Sequence, residues 1–358
     1  AASLRAGAAR QEALERRLAT PPATPAQRTH RALVAEGNSP ADVLRIAAEA
    51  GPELDASNVA TAIHQAAKGL RRSGASAGAA RALRTDPRLD ALTSAGLEHA
   101  GAWLPRQLCH VAWSLAMLHA GHCELLSAVS EAFAAHGAAE GVPQDISTFA
   151  WALAVAPFAH PRALASARRS AVARVREFCP QDLAIAAWAF AKLACDDRRP
   201  LLESIAPESL PRITSFTGRN LANLAWSYAT AQQRDLQLCQ GLVQECATRI
   251  SELGSQELPI TLWSFAAIGY PADAVFAAAA GQVQKTLCGM DASHLCNVVW
   301  AFARAGPRDV PVFEAVAGEA VGRLASMEPL HLCNLAWSFA SASRTDEFDE
   351  SRVGVRHE

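Results

Sequence analysis

The sequence predicts an all-α protein, a right-handed α-solenoid of paired antiparallel helices with about 37–38 residues per repeat. Three observations predict it. Trp113, Trp151, Trp188, Trp226, Trp263, Trp300 and Trp337 are separated by 38, 37, 38, 37, 37 and 37 residues. Each stands in the same setting, with Leu or Ile five positions before it, then Ala or Ser, a larger apolar residue and Ala after it. The apolar half of the 358 residues is dominated by Ala and Leu with only 6% aromatic, a mix that favours helix over strand, and no alternating pattern competes.

Residues 1–38 read as a helical extension and linker, with a helix over 8–19 and a linker over 21–25. The opening Ala-Ala-Ser-Leu-Arg is similar to the tail of an organelle transit peptide, while Glu12 and Glu15 suit a processed mature end. Residues 39–101 read as a degenerate first repeat. It begins with a helix over 39–51 and continues as Asn58-Val-Ala-Thr-Ala-Ile63-His-Gln-Ala-Ala-Lys68. Ile63 takes the Trp place fifty residues before Trp113, and the excess length is assigned to a flexible insertion near 71–81.

Residues 102–341 hold the seven tandem Trp-containing repeats. Each first helix opens near a proline such as Pro105, Pro143, Pro180 or Pro329, where a first helical turn tolerates it. It closes at punctuation such as Gly121, 157–161, 196–197, 269–271 and 306–307. A second amphipathic stretch follows, for example 124–136, 162–178, 236–253 and 310–327. Two helices per repeat make an α-solenoid. Residues 342–358 read as a polar C-terminal tail, which leaves the last copy without its second helix.

A helical wheel sorts the first helix. With Trp at zero and about 100° per residue, positions −5, −2 and +2 form one apolar stripe, such as Leu183, Ala186 and Phe190, or Leu332, Leu335 and Phe339. The tryptophans, beside a small residue at −4 and Ala at +3, read as the structural repeat core; stacking on bases is the alternative use. Positions −3, +1 and +4 lie opposite the apolar stripe and vary in type, as reading of one base per repeat would require. The RNA-contact candidates on them are His110, Thr148, Lys192, Asn223, Ser227, Thr230, Asn297, Arg304, Asn334 and Ser338. A merely solvated face would show the same variation.

Other signals carry less. Cys109, His110, His119, His122 and Cys123 are dense, but no second ligand pair follows, so no metal is expected. Cys109, Cys296 and Cys333 fall at the small −4 position, where packing accounts for them. The run Arg162, Arg168, Arg169, Arg174 and Arg176 could meet phosphate or form a solvated outer face. No nucleotide-loop, zinc-protease or nucleophile-elbow motif occurs, so neither an enzyme nor a cofactor is expected. Nine cysteines without a CxxC pair suit free thiols in a reducing compartment. No stretch of about eighteen residues is continuously apolar, so no membrane insertion is expected. Net charge is −2, with +4 over residues 1–200 and −6 over 201–358.

The segments L-A-N-L-A-W-S-Y-A at 221–229, L-C-N-V-V-W-A-F-A at 295–303 and L-C-N-L-A-W-S-F-A at 332–340 resemble octotricopeptide repeats. They are also similar to the helical repeats of FAST-kinase-like mitochondrial proteins and of RNA-editing substrate-binding complex proteins. The likeness covers roughly 56–341. It implies a protein of a mitochondrion or plastid that contacts single-stranded organellar RNA or ribosomal RNA along its concave face. The implied role is RNA stability, processing, translation or ribosome association. The alternative is a non-catalytic scaffold subunit, bound to the protein subunits of a large complex. The family's Asn at −3 is replaced by His110, Thr148, Ile185 and Ile260 in four copies, and no C-terminal RAP domain is found in these residues.

Overall fold

The computed structural model describes residues 24–344 apart from 75, 119–122, 157, 159, 195–197 and 307–308. The expected helix over 8–19, most of the 21–25 linker, His119, His122 and the tail beyond Arg344 lie outside the described residues. Among the described residues there are helices and no strands, and no helix is long and apolar enough to cross a membrane. The fold is an all-α helical-repeat solenoid. Its packing divides the chain into two compact units, residues 1–132 and 133–358. The division falls inside the first of the seven Trp copies that the spacing groups together over 102–341.

The first unit comprises α1 Pro25–Leu33, α2 Pro40–Ala50, α3 Ala56–Arg72, α4 Ala77–Arg84, α5 Pro87–His99, α6 Pro105–Leu118 and α7 Cys123–Ala132. Its helix starts are well capped. Thr24 and Ser39 form capping boxes with Gln27 and Asp42, while Asp55, Ser76 and Asp86 each accept a backbone N–H of the following turn. α3 is the hub, packed on α1, α2, α5 and α6. The eighth tryptophan, Trp103, is buried at the entry to α6, and its indole N–H donates to Ala56 O over 2.7 Å.

Two expectations change in this unit. The insertion near 71–81 is mostly helical, because α3 continues to Arg72 and the Ala-rich 77–84 segment forms α4 behind its Ser76 cap. The ring at the Trp place of the degenerate copy is His64, since Ile63 is fully buried. Ser57, Thr61, His64 and Lys68 form one partly to fully exposed stripe of α3 at helical spacing.

The second unit begins with a π turn, Phe133–Gly137, and a short turn, Ala138–Glu140. Five hairpins follow: α8 Pro143–Val155 with α9 Pro161–Ala173, α10 Pro180–Lys192 with α11 Arg199–Ser209, α12 Gly218–Thr230 with α13 Leu236–Thr248, α14 Glu257–Ile268 with α15 Asp273–Thr286, and α16 Ala292–Ala305 with α17 Val310–Val321. A last first helix, α18 Pro329–Arg344, ends the described chain. First helices pack in series, α8 on α10 on α12 on α14 on α16 on α18, and more closely than the second helices do.

The expected −5, −2 and +2 stripe is the core between the two layers. Leu183, Ala186 and Phe190 are all buried, and Tyr228 takes the +2 place in α12 with its hydroxyl satisfied by Leu202 O at 2.5 Å. α18 departs from the pattern: Leu332 is 38% exposed and Cys333 is also exposed. The −4 side of a first helix faces the next copy, as Ser147 to Asp182 at 2.8 Å and Cys296 to His331 O at 3.3 Å show. α18 has no further copy against that side among the described residues. Burial pushes the thiols of Cys239 and Cys296 up to about 11 and that of Cys246 up to about 12, so all three stay protonated and inert.

Candidate nucleic-acid interface

The inner first helices of the second unit, α10, α12, α14 and α16, are each enclosed on three sides, by the preceding first helix, the following first helix and their own second helix. What remains open is narrow. It consists of positions −7, −3, 0 and +4, which cluster within about 60° of the wheel. The sequence-based face of −3, +1 and +4 is therefore rotated by roughly one position. Residues at +1 turn toward the preceding copy and are buried throughout: Ser227 and Ser338 are 0% exposed, and Ala152, Ala189 and Ala301 match them. Ser227 and Ser338 are thus not contact residues. Their hydroxyls donate to the carbonyls four residues back, Asn223 O at 2.5 Å and Asn334 O at 2.7 Å. A small residue whose only polar group is satisfied on its own helix is what close helix packing requires.

The tryptophans move the opposite way. None of the seven belongs to the fully buried core; six are partly buried and Trp337 is 47% exposed. The small −4 and Ala +3 positions do the close packing, and the indole at zero lies beside that junction, partly exposed. Trp188 and Trp226 have ring centroids 6.1 Å apart, and Trp263 and Trp300 are 6.3 Å apart. The Lys192 ammonium stands 4.8 Å from the centroid of Trp188, and the Arg304 guanidinium 5.3 Å from that of Trp300. Arg304 also donates to Ala266 O at 3.2 Å, which fixes its stem.

The remaining candidates sort by geometry. Thr148, Asn223, Asn297 and Asn334 occupy the open −3 row, and no hydrogen bond from the three Asn amides to another described residue is formed. Thr230 lies at +4, but its hydroxyl is buried without a partner among the described residues, so it does not offer a surface donor. In the first unit His110 stacks on His64 at 4.1 Å between centroids and 11° between planes, and Trp113 sits 5.3 Å from His64. Burial, then the nearby His110 and Lys68, push the His64 imidazole down to about 4, so it is neutral near pH 7.

Two features escaped the sequence reading. One is the −7 row, which is exposed throughout: Gln144, Gln181, Arg219, Gln256, Ser293 and Leu330. With it, the ribbon of −7, −3, 0 and +4 positions in the second unit contains Arg219, Lys192 and Arg304 and not one Asp or Glu, although Glu257 of the next copy reaches Arg219 at 3.3 Å from just beside them. The other is a repeated arginine 23 or 24 residues after the Trp. Arg174, Arg212, Arg249 and Arg323 reach from the end of the second helix to the carbonyl ten residues before the Trp. They donate to Gly141 O at 2.6 Å, Phe178 O at 2.9 Å, Phe216 O at 2.9 Å and Met290 O at 2.5 Å. Thr286 stands at this place in the remaining hairpin, where Gln282 reaches Leu253 O at 3.1 Å instead. Arg174, one of the run read as a possible phosphate contact, is thus a clamp that closes its own hairpin. The spacing of 38, 37 and 74 between these arginines was the available signal.

Among the described residues no group of three or more His, Cys, Asp or Glu side chains could hold a metal ion. The comparisons with known proteins agree with the repeat. A stretch of 112 residues is 28% identical to a RAP domain-containing chloroplastic protein of Oryza sativa subsp. japonica, covering 31% of this chain and 18% of that protein. The family model described as RNA-editing substrate-binding complex 6 protein matches residues 105–347, most of the chain and all seven Trp copies. This protein therefore belongs to the RNA-editing substrate-binding complex 6 protein family, in keeping with the resemblance of its helical repeats.

Proposed function

We propose that this chain is a non-enzymatic RNA-binding subunit of an organellar ribonucleoprotein assembly, and that single-stranded RNA lies on the open ribbon of its first-helix layer. The observation that carries this reading is the absence of carboxylates from the ribbon. The chain has net charge −2, and residues 201–358 alone carry −6. Yet the ribbon positions in the second unit hold no Asp or Glu, and of their three cations Lys192 and Arg304 stand over indoles while Arg219 is paired with Glu257 beside the ribbon. The acidic side chains lie elsewhere, several of them in ion pairs such as Glu245 and Glu252 with Arg249. A surface kept free of negative charge on an acidic segment suits a polyanion. Asn and Gln amides along it can bond to the edges of unpaired bases. The family to which the chain belongs takes its name from a complex that binds RNA-editing substrates, which supports both an RNA and protein partners.

Anisotropy of labelled single-stranded RNA over a salt series tests this. Binding is expected at low salt, with affinity falling as salt rises. In Lys192→Ala and Arg304→Ala the slope of log affinity against log salt becomes shallower by about 0.7 for each phosphate that the variant no longer neutralises. An absence of binding at low salt, or slopes unmoved by both variants, overturns the reading.

A further inference from the structure

The ribbon's tryptophans are not evenly used. Among the ribbon tryptophans two neighbouring pairs stand close enough to interact, Trp188 with Trp226 and Trp263 with Trp300. Their interplanar tilts are alike, 35° and 31°, and each pair carries one cation over one of its rings, Lys192 in the first and Arg304 in the second. All four rings remain partly exposed. Small buried residues explain the close approach of the helices without any help from an indole: Ala189 and Ser227, or Ser264 and Ala301, do the packing at +1. A Leu would fill the same shoulder, so the retention of large π surfaces at the open edge calls for another reason.

We propose that the two pairs are two separate base-stacking stations. At each, a composite surface two indoles wide receives one or two unpaired nucleobases, and the adjoining Lys192 or Arg304 meets the phosphate that follows. Bases stack on aromatic faces whatever their sequence, and a cation beside the ring neutralises the backbone. This inference rests on the proposed RNA function and deepens it. RNA is held at two points about two repeats apart, with one −3 amide beside each station, Asn223 at the first and Asn297 at the second, free to discriminate. Trp151, which forms no such pair, contributes little.

The test is ultraviolet crosslinking of the full chain to a single-stranded RNA bearing 5-iodouridine, with the crosslinked peptides mapped by mass spectrometry. Binding of the same RNA to Trp226→Leu, Trp263→Leu and Trp151→Leu is measured in parallel. Crosslinks are expected in the peptides containing the two pairs. Affinity should fall about tenfold or more in Trp226→Leu and in Trp263→Leu, and less than about threefold in Trp151→Leu. Circular dichroism melting identifies any variant that fails to fold; Trp226→Phe and Trp263→Phe, which keep a ring, then serve in its place and should retain most of the affinity. If RNA binds but crosslinks elsewhere, or if Trp151→Leu loses as much as the pair variants, the stations are wrong while the RNA function stands. If no RNA binds, both fall.

Discussion

Two sets of cations in the second unit share a chemistry and differ in purpose. Arg174, Arg212, Arg249 and Arg323 lie at the ends of the second helices, partly buried, and each spends its guanidinium on a carbonyl of its own hairpin and on a nearby glutamate. Lys192 and Arg304 lie at the ends of the first helices, exposed, each over an indole, and Arg304 also donates to Ala266 O of the preceding copy. An arginine count, or even an arginine-rich run such as 162–176, cannot separate these uses. The distinction is made by what surrounds the fork. A buried carbonyl flanked by carboxylates makes a clamp, whereas an aromatic face at a carboxylate-free edge leaves a cation for an anion outside.

The clamp side of this comparison makes the largest prediction. Arg249→Ala removes hydrogen bonds to Phe216 O and Thr214 O and leaves Glu245 and Glu252 without their guanidinium. Stability should fall by about 1–3 kcal/mol, because the carbonyl of the buried Phe216 and the largely buried Glu245 carboxylate lose their donor, while the exposed Glu252 is left to water. RNA affinity measured well below the melting temperature should change less than about twofold. Urea unfolding and anisotropy on one sample check both halves, and an affinity loss without unfolding would erase the distinction between the two sets.

Next comes the +1 row beside the ribbon. Ser227→Leu inserts a branched chain into a fully buried junction and should cost about 1–3 kcal/mol, while Ser227→Ala should stay within about 0.5 kcal/mol. Thermal melts of the two variants decide it. Equal tolerance of both would mean that +1 is open and that the ribbon has been drawn one position off.

The smallest effect concerns the first unit, where a histidine replaces the indole. Burial, reinforced by His110 and Lys68, holds the His64 imidazole near 4 against 6.5 for a free one. The fold favours its neutral form. Its contribution is therefore intact above about pH 6.5 and is lost progressively as pH falls toward 4, where the unfolded chain takes the proton and the folded one does not. Denaturation of wild type and His64→Gln on both sides of this window checks it. Relative to His64→Gln, the wild type should lose stability between pH 7 and pH 4.5. A difference between the two that does not vary with pH would remove His64 from the acid sensitivity.

Much of this is legible in the sequence. The prolines at 105, 143, 180 and 329 open helices as expected, and the stripe through Leu183, Ala186 and Phe190 is the core between layers. The open face was legible only to within one helical position. Asn223, Asn297, Asn334, Lys192 and Arg304 lie on it as the wheel places them, whereas Ser227 and Ser338 do not, and the −7 row was overlooked. A helical wheel measures angles around one helix, and it carries no information on how far a neighbouring helix reaches around either flank. Polar residue type misled for the same reason, because a serine that bonds its own backbone is as easily buried as alanine.

What the sequence by itself determined was the unit of construction: a two-helix repeat, its period, its apolar stripe and the family to which those repeats are similar. These follow from local periodicity, which any short stretch of chain expresses. The tertiary structure alone decided which edge of each first helix stays open, that the tryptophans line that edge, and that the repeated arginines close hairpins. Those outcomes depend on residues distant in sequence meeting in space. Only the stacking of one repeat on the next brings them together.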